Sequence, residues 1–426
     1  MDLAPCDFRQ QGWSRRDAAH LLWRTQCGAG EADIARALAD GPEKTLDRLL
    51  TPPPEEPAFA ETSALLRQTA MDADDVEQLK TWWLYRMTAG PSPLTEKMCL
   101  FWHNHFATSN VKVRSARHMG AQNELLRAHA LGDFKALLTG MARDVAMLMW
   151  LDGNANRLRS PNENFARELM ELFTLGVGHY SETDIREAAR AFTGWHVRNE
   201  EFWFNRLQHD TGSKTLFKAS GNFDGDDILR LCLAHDACPR FLALKLLREF
   251  VMPSPGEPEI AALAASIRKH DFQMKSVLRD LLGSQLFFSA AVRHSLIKSP
   301  VQFVLGACRA LEVRPNLKTM AKVIANLGQD LFQPPTVKGW EGGRLWITSA
   351  TLLQRANFAA SLTGSDTYGR IGTIPSSLEK QAELLLARDA DTAPVAAWLE
   401  KASGSRDART QGALHLLLTM PEFQLT

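Results

Sequence analysis

Apolar residues recur three and four positions apart along most of the chain, a spacing that predicts a mostly α, multi-helical globular array. The stretch 160–195 carries the pattern most clearly. Ser160 is placed to cap a helix, Pro161 fits its first position, and Glu163 stands where a capping box wants a carboxylate. Phe165, Leu169, Leu172, Phe173 and Leu175 form one apolar stripe, and Gly176 suits the left-handed residue after a helix end. Ser181 opens a second helix with Asp184 as its box partner. Ile185, Ala188, Ala189 and Phe192 make the buried face, and Gly194 ends it.

The same pattern predicts helices before this pair, broken at Thr51-Pro52-Pro53-Pro54 and at Gly90-Pro91-Ser92-Pro93. The helix leaving the second break buries Met98, Leu100, Phe101, Trp102 and Phe106. Apolar and aromatic alternation takes over at Trp195–Val197 and Phe202–Phe204, which predicts one small β-hairpin near 195–220. Helical spacing then resumes. We expect a single helical domain over 1–362 with an N-terminal helical subregion 1–90, a Gly/Ser/Thr-rich linker at 363–375, and C-terminal helices over 376–426 packed on the main body. Strands and helices do not alternate as in βαβ units, which argues against a doubly wound nucleotide-binding sheet.

Charge adds little. Lys plus Arg equals Asp plus Glu at 49 each, so no global field favours nucleic acid or an anionic membrane as a partner. The six cysteines form no C-x-x-C pair and read as scattered reduced thiols. The apolar runs are too short for a membrane span, and the N-terminus lacks the pattern of an export leader. Both point to a cytoplasmic location for the chain as written.

The polar residues inside this apolar pattern carry the candidate chemistry. Asn164, Glu168 and Glu171 recur at i, i+4, i+7 and share a helix face with Arg167 beside them. One reading pairs Arg167 with Glu163 and Glu171 on a solvated surface; the other makes this face the wall of a polar pocket. Glu96 and His103 are seven apart on one helix. His103 and His105 diverge by about 200° on a continuous helix and face one site only if it frays at Asn104. Asp152, Asn154 and Asn156 alternate like a calcium loop, but Arg157 stands where the glycine belongs.

The motifs F-W-H-N-H-F, P-N-E-N-F-A-R-E-L-M-E-L-F-T-L-G-V-G, A-A-R-A-F-T-G-W, H-D-x-G-x-K and P-P-x-V-K-G-W-x-G-G occur in that order. From about His20 to the end the chain resembles the uncharacterised bacterial domain-of-unknown-function family 1800. The resemblance implies one compact unit and no particular reaction. It also implies export, since family members often look exported, and a co-encoded partner resembling the alkaline-phosphatase superfamily.

The residues themselves support a helical enzyme with a buried His/carboxylate site, acting on an anionic or sugar-like substrate. Glu168, His103, Arg167, Glu171, His209, Asp210 and Lys214 are the catalytic candidates, and Asn162, Asn164, Lys338 and Trp340 the substrate-binding ones. His103, His105, Glu96 and Glu168 are the candidate ligands of a divalent metal ion, Fe, Mn or Zn. Convergence is expected of Glu96, His103, Arg167 and Glu168, with His209 and Lys214 supplied by the loop after the hairpin. Trp195, Trp340 and Trp346 either stack on a sugar ring or plug the core. The alternative to an enzyme is a non-catalytic scaffold or partner protein.

Overall fold

A computed structural model of the chain describes residues 3–314, 316–364, 371, 372, 375, 377–386 and 391–426. Helices dominate, and the segment expected to hold the β structure holds two antiparallel two-stranded ribbons, 195–204 and 214–221. Both turn on a pair of left-handed residues, Asn199 and Glu200 in the first, Phe217 and Lys218 in the second. This is the backbone that a two-residue hairpin requires. The second turn lacks the usual Asn or Gly, so its sequence gives no hairpin signal.

The helix Pro93–His105 lies at the centre, packed by Arg15–Gln26, Val76–Ala89 and Ala116–Ala128. Its apolar residues occupy most of its circumference, and Trp102 is fully enclosed together with Trp82 and Trp83 of the neighbouring helix. Ser181 forms with Asp184 the capping box that their spacing predicts, and Ser14 forms another with Asp17. The six cysteines are free thiols. Among the described residues no helix is long and apolar enough to cross a membrane.

Distant parts of the chain are pinned together by buried cations that have backbone carbonyls as partners. The Arg24 guanidinium donates to the carbonyls of Phe250 (2.7 Å), Val251 (2.9 Å), Val292 (2.6 Å) and Thr426 (2.8 Å). Burial pushes its pKa down to about 9. Lys298 lies against the rings of Trp23 (4.0 Å) and Phe423 (3.7 Å), and Phe303 meets both Phe358 and Phe423. The predicted linker starts inside the helix Ser349–Gly364, and its residues 365–370, 373 and 374 lie outside the described residues.

Two local expectations fail in the 160–176 region. The helix does not start at Ser160. Ser160 bridges back to Arg157, the Asn156 side chain accepts from the Asn162 N–H, and the Asn162 side chain accepts from the Asn164 N–H. These side-chain turns compete with the helix and delay it to Asn164. From Leu169 to Thr174 the coil then widens into a π-helix. The N–H groups of Leu175 and Gly176 both reach the Met170 carbonyl, and Gly176 closes the segment at φ +81°.

Candidate functional site

The end of the Pro93–His105 helix forms one side of the site. Asn104 clamps the loop that follows Pro335: its Oδ1 accepts from the Trp340 N–H at 2.7 Å and its Nδ2 donates to the Trp340 carbonyl at 3.2 Å. Gly339 is required there. Its φ is +80°, and an added Cβ would lie 2.2 Å from Asn104 Oδ1. The clamp seats Trp340 with its ring 5.6 Å from that of His103. His103 also meets Trp83 and Phe332, and its buried Nε2 has no hydrogen-bond partner among the described residues. Burial pushes this imidazole down to about 3, so it stays neutral.

The π-helix forms the other side. Short π segments inside helices are rare and frequent at functional sites, because they leave carbonyls off the regular ladder. Here Phe173 O accepts from His105 Nε2 at 3.0 Å, which places the ring proton on Nε2. Glu168 sits at the junction of α- and π-helix. It is half-buried and makes no hydrogen bond or ion pair among the described residues. Burial raises its pKa, the neighbouring Glu171 raises it further, and Lys338 and Arg167 oppose. Glu171 accepts from the Tyr180 hydroxyl at 3.0 Å; burial and this bond push the phenol up to about 12. A carboxyl whose pKa is raised by burial and by a neighbouring carboxylate holds its proton more tightly than a free one, the property asked of an acid–base group.

The predicted residues therefore divide. Glu171 and Lys338 both act on Glu168 through their charge, and Lys338 belongs to the loop that seats Trp340 against His103. Glu96 is elsewhere engaged: it accepts from Trp83 Nε1 (2.9 Å), Arg86 Nε (3.0 Å), and Arg127 Nε (2.7 Å) and Nη2 (3.0 Å). His103 and His105 do not share a site, because the helix continues unbroken through Asn104. His105 faces Phe173, Phe134 and Phe241, away from the Trp83, Phe332 and Trp340 rings around His103. The metal set His103, His105, Glu96 and Glu168 is thus not assembled. Among the described residues no three His, Cys, Asp or Glu side chains are grouped to hold a metal ion.

Arg167 lies on the outer face, 3.1 Å from Glu163 as the solvated-surface reading has it, but its second partner is Glu182 (2.8 Å to each oxygen) and not Glu171, which meets Tyr180. Asp210 pairs with Arg190 at 2.8 Å. His209 bonds the Thr193 carbonyl at 2.9 Å, and Lys214 Nζ donates to the carbonyls of Asp210 and Gly212. This loop braces the ribbons on the helix Glu182–Ala191 and brings none of these three to Glu168. Asn162 and Asn164 are held in the turn before the helix, where Asn164 reaches Asp152 at 3.4 Å. The crevice beside that turn, lined by Asp152, Asn156, Asn162 and Trp195 among others, has a volume of about 10 Å³, room for one water. Trp195, Trp340 and Trp346 are 5%, 6% and 8% exposed, so they plug the core and offer no face to a sugar ring.

Sequence reasoning missed Asn104 and Tyr180. Asn104 stands between two histidines that drew attention from it. Tyr180 follows the Gly176–Gly178 turn, and only the π-helix brings its hydroxyl back to Glu171.

The model of the family described as "Protein of unknown function (DUF1800)" matches residues 20–425. No curated protein and no solved structure matches the chain.

Proposed function

We propose, from the premise that the chain belongs to the DUF1800 family, that it is an acid–base enzyme on a helical frame, acting on an anionic substrate. The observation that supports this is Glu168. At the start of a π-helix this half-buried carboxyl has a pKa raised by burial and by Glu171, and no hydrogen-bond partner among the described residues. In this reading Glu168 carries the proton and Glu171 keeps its affinity for that proton high through like charge. Lys338 meets the anionic group. Asn104 and Gly339 position Lys338 by fixing its loop. Arg167, His209, Asp210 and Lys214 hold the frame. Glu96 and His105 are already committed to Arg86, Arg127 and the Phe173 carbonyl, so the reading uses no metal ion.

The test is a thermal-shift and turnover screen with phosphate esters and carboxylic acids on wild type, Glu168→Gln and Lys338→Ala. A ligand that stabilises wild type is expected to lose its effect on Lys338→Ala. Glu168→Gln is expected to bind that ligand and fail to turn it over. Full turnover by Glu168→Gln, or binding indifferent to Lys338, would exclude this reading and leave a partner-binding scaffold as the better account.

A further inference from the structure

Overall neutrality conceals a local imbalance at the end of the molecule that carries the first ribbon. Two exposed turns adjoin there, 157–160 and the 3₁₀ turn Arg206–Gln208, tied by the Leu158 N–H to the Gln208 carbonyl at 2.9 Å. Arg157, Arg159 and Arg206 are exposed on them, and none forms an ion pair with a described residue. Arg157 spends only its Nε, on the Asn154 carbonyl. Between the arginines stand Leu158, 40% exposed, and Leu207, 87% exposed. Trp203, 37% exposed, borders the same surface: its ring lies 6.2 Å from that of His196, whose Nε2 bonds the Asn156 carbonyl next to Arg157. The nearest ribbon carboxylates, Glu200 and Glu201, sit at the far turn of the hairpin.

We infer that this face docks the protein on an anionic lipid surface. Three cations without counter-charges call for an anionic partner. The shape selects which one. Leu207 projects from the same turn as Arg206, and Trp203 is exposed on the strand that precedes it, an arrangement of cation, leucine and indole that suits a partner that yields around them. A headgroup layer does so: the leucine passes into the acyl boundary, the indole stays at the interface, and the arginines meet phosphates. The turns are held by backbone bonds and by the Asn154 and Asn156 side chains, so the face is preformed.

The test is co-sedimentation of the full chain with phosphatidylcholine vesicles, with and without phosphatidylglycerol. Binding is expected only with phosphatidylglycerol and should weaken as salt rises. The triple variant Arg157→Glu/Arg159→Glu/Arg206→Glu should lower the bound fraction at least about tenfold. Leu207→Asp should lower it several-fold, with unchanged circular dichroism in both. Equal binding to the two vesicle types, no binding to either, or variants that sediment like wild type would each overturn the inference. Retention on immobilised polyglutamate but not on vesicles would also overturn it, by assigning the face to an acidic polypeptide.

Discussion

Around Glu96 both carboxylate oxygens are occupied, by the Trp83 indole and by the guanidinium groups of Arg86 and Arg127, and the group is 3% exposed. Around Glu168 no donor has closed in, although the side chain is half-buried and Lys338 lies within its field. Burial pushes both pKa values up. At Glu96 the two arginines outweigh it and the pKa falls; at Glu168 Glu171 reinforces it and the pKa rises. A carboxylate with its full set of partners is structure. One left short of partners remains free to bind something else. Burial alone does not separate the two roles; the surrounding hydrogen bonds do.

The largest expected effect comes from breaking the saturated site. Glu96→Ala takes from two enclosed guanidinium groups the carboxylate they share and leaves them the more exposed Glu55 and Glu124, with Arg127 over the Trp82 ring at 4.9 Å. Removing one member of such a buried pair costs about 3–5 kcal/mol. Urea unfolding measures it, and a loss below about 1 kcal/mol would mean that the network is not structural. The pH dependence has a definite sign. The folded pKa of Glu96 lies below its ordinary value of 4.5, so its contribution is present above that pH and is lost as pH falls through the folded value.

Asp144 gives an intermediate case and the opposite sign. It caps the helix Val145–Trp150, accepting from the Met147 N–H (2.8 Å) and from Gln122 Nε2 (2.6 Å). Burial still outweighs these bonds and pushes its pKa up to about 6 from 3.8. Ionisation therefore destabilises the fold progressively as pH rises from 3.8 towards 6, and the penalty is constant above. Asp144→Asn, which keeps a capping oxygen, should gain about 1–3 kcal/mol at pH 7.5 and nothing near pH 3.5. Paired unfolding curves at the two pH values decide it.

Smaller again is the effect of loosening the π-helix. His105→Phe keeps the ring packing and removes the donor to the Phe173 carbonyl, for a loss of about 1–2 kcal/mol. Hydrogen exchange should rise at 169–176 and remain unchanged at Arg86 and Arg127. Uniform protection would mean that the π-helix does not depend on this bond.

The helices were legible because their apolar stripes and caps are local: Ser181 with Asp184 and the close at Gly176 follow from spacing alone. The first ribbon was legible from its aromatic alternation. The second was hidden by a turn on Phe217 and Lys218, where local chemistry gives no warning of left-handed backbone. Of the candidate site, Glu168 and Glu171 were legible as one helix face more polar than a core helix needs; that the nearby lysine would be Lys338, from a loop far along the chain, and not Lys214 was not legible. Glu96 was misassigned because nothing near it in sequence announces Arg127, 31 residues away. The π-helix was invisible for the same reason: it rests on a histidine 68 residues from Phe173.

The smallest stability effect belongs to the open site, and its sign is what separates it from the closed one. Glu168→Gln removes a charge that no donor holds, so stability at pH 7 should stay within about 0.5 kcal/mol of wild type, the range of substitutions that break no specific contact. Because the folded pKa is raised, ionisation opposes folding, and any change should be a gain that appears above the ordinary glutamate value of 4.5 and vanishes below it. Glu96→Gln should do the reverse, a loss that appears as pH rises and shrinks in acid. One isosteric swap made at two carboxylates of the same chain thus gives opposite pH profiles. If both profiles fall in the same direction, Glu168 has a donor in solution, and the carboxylate left open for a substrate is closed.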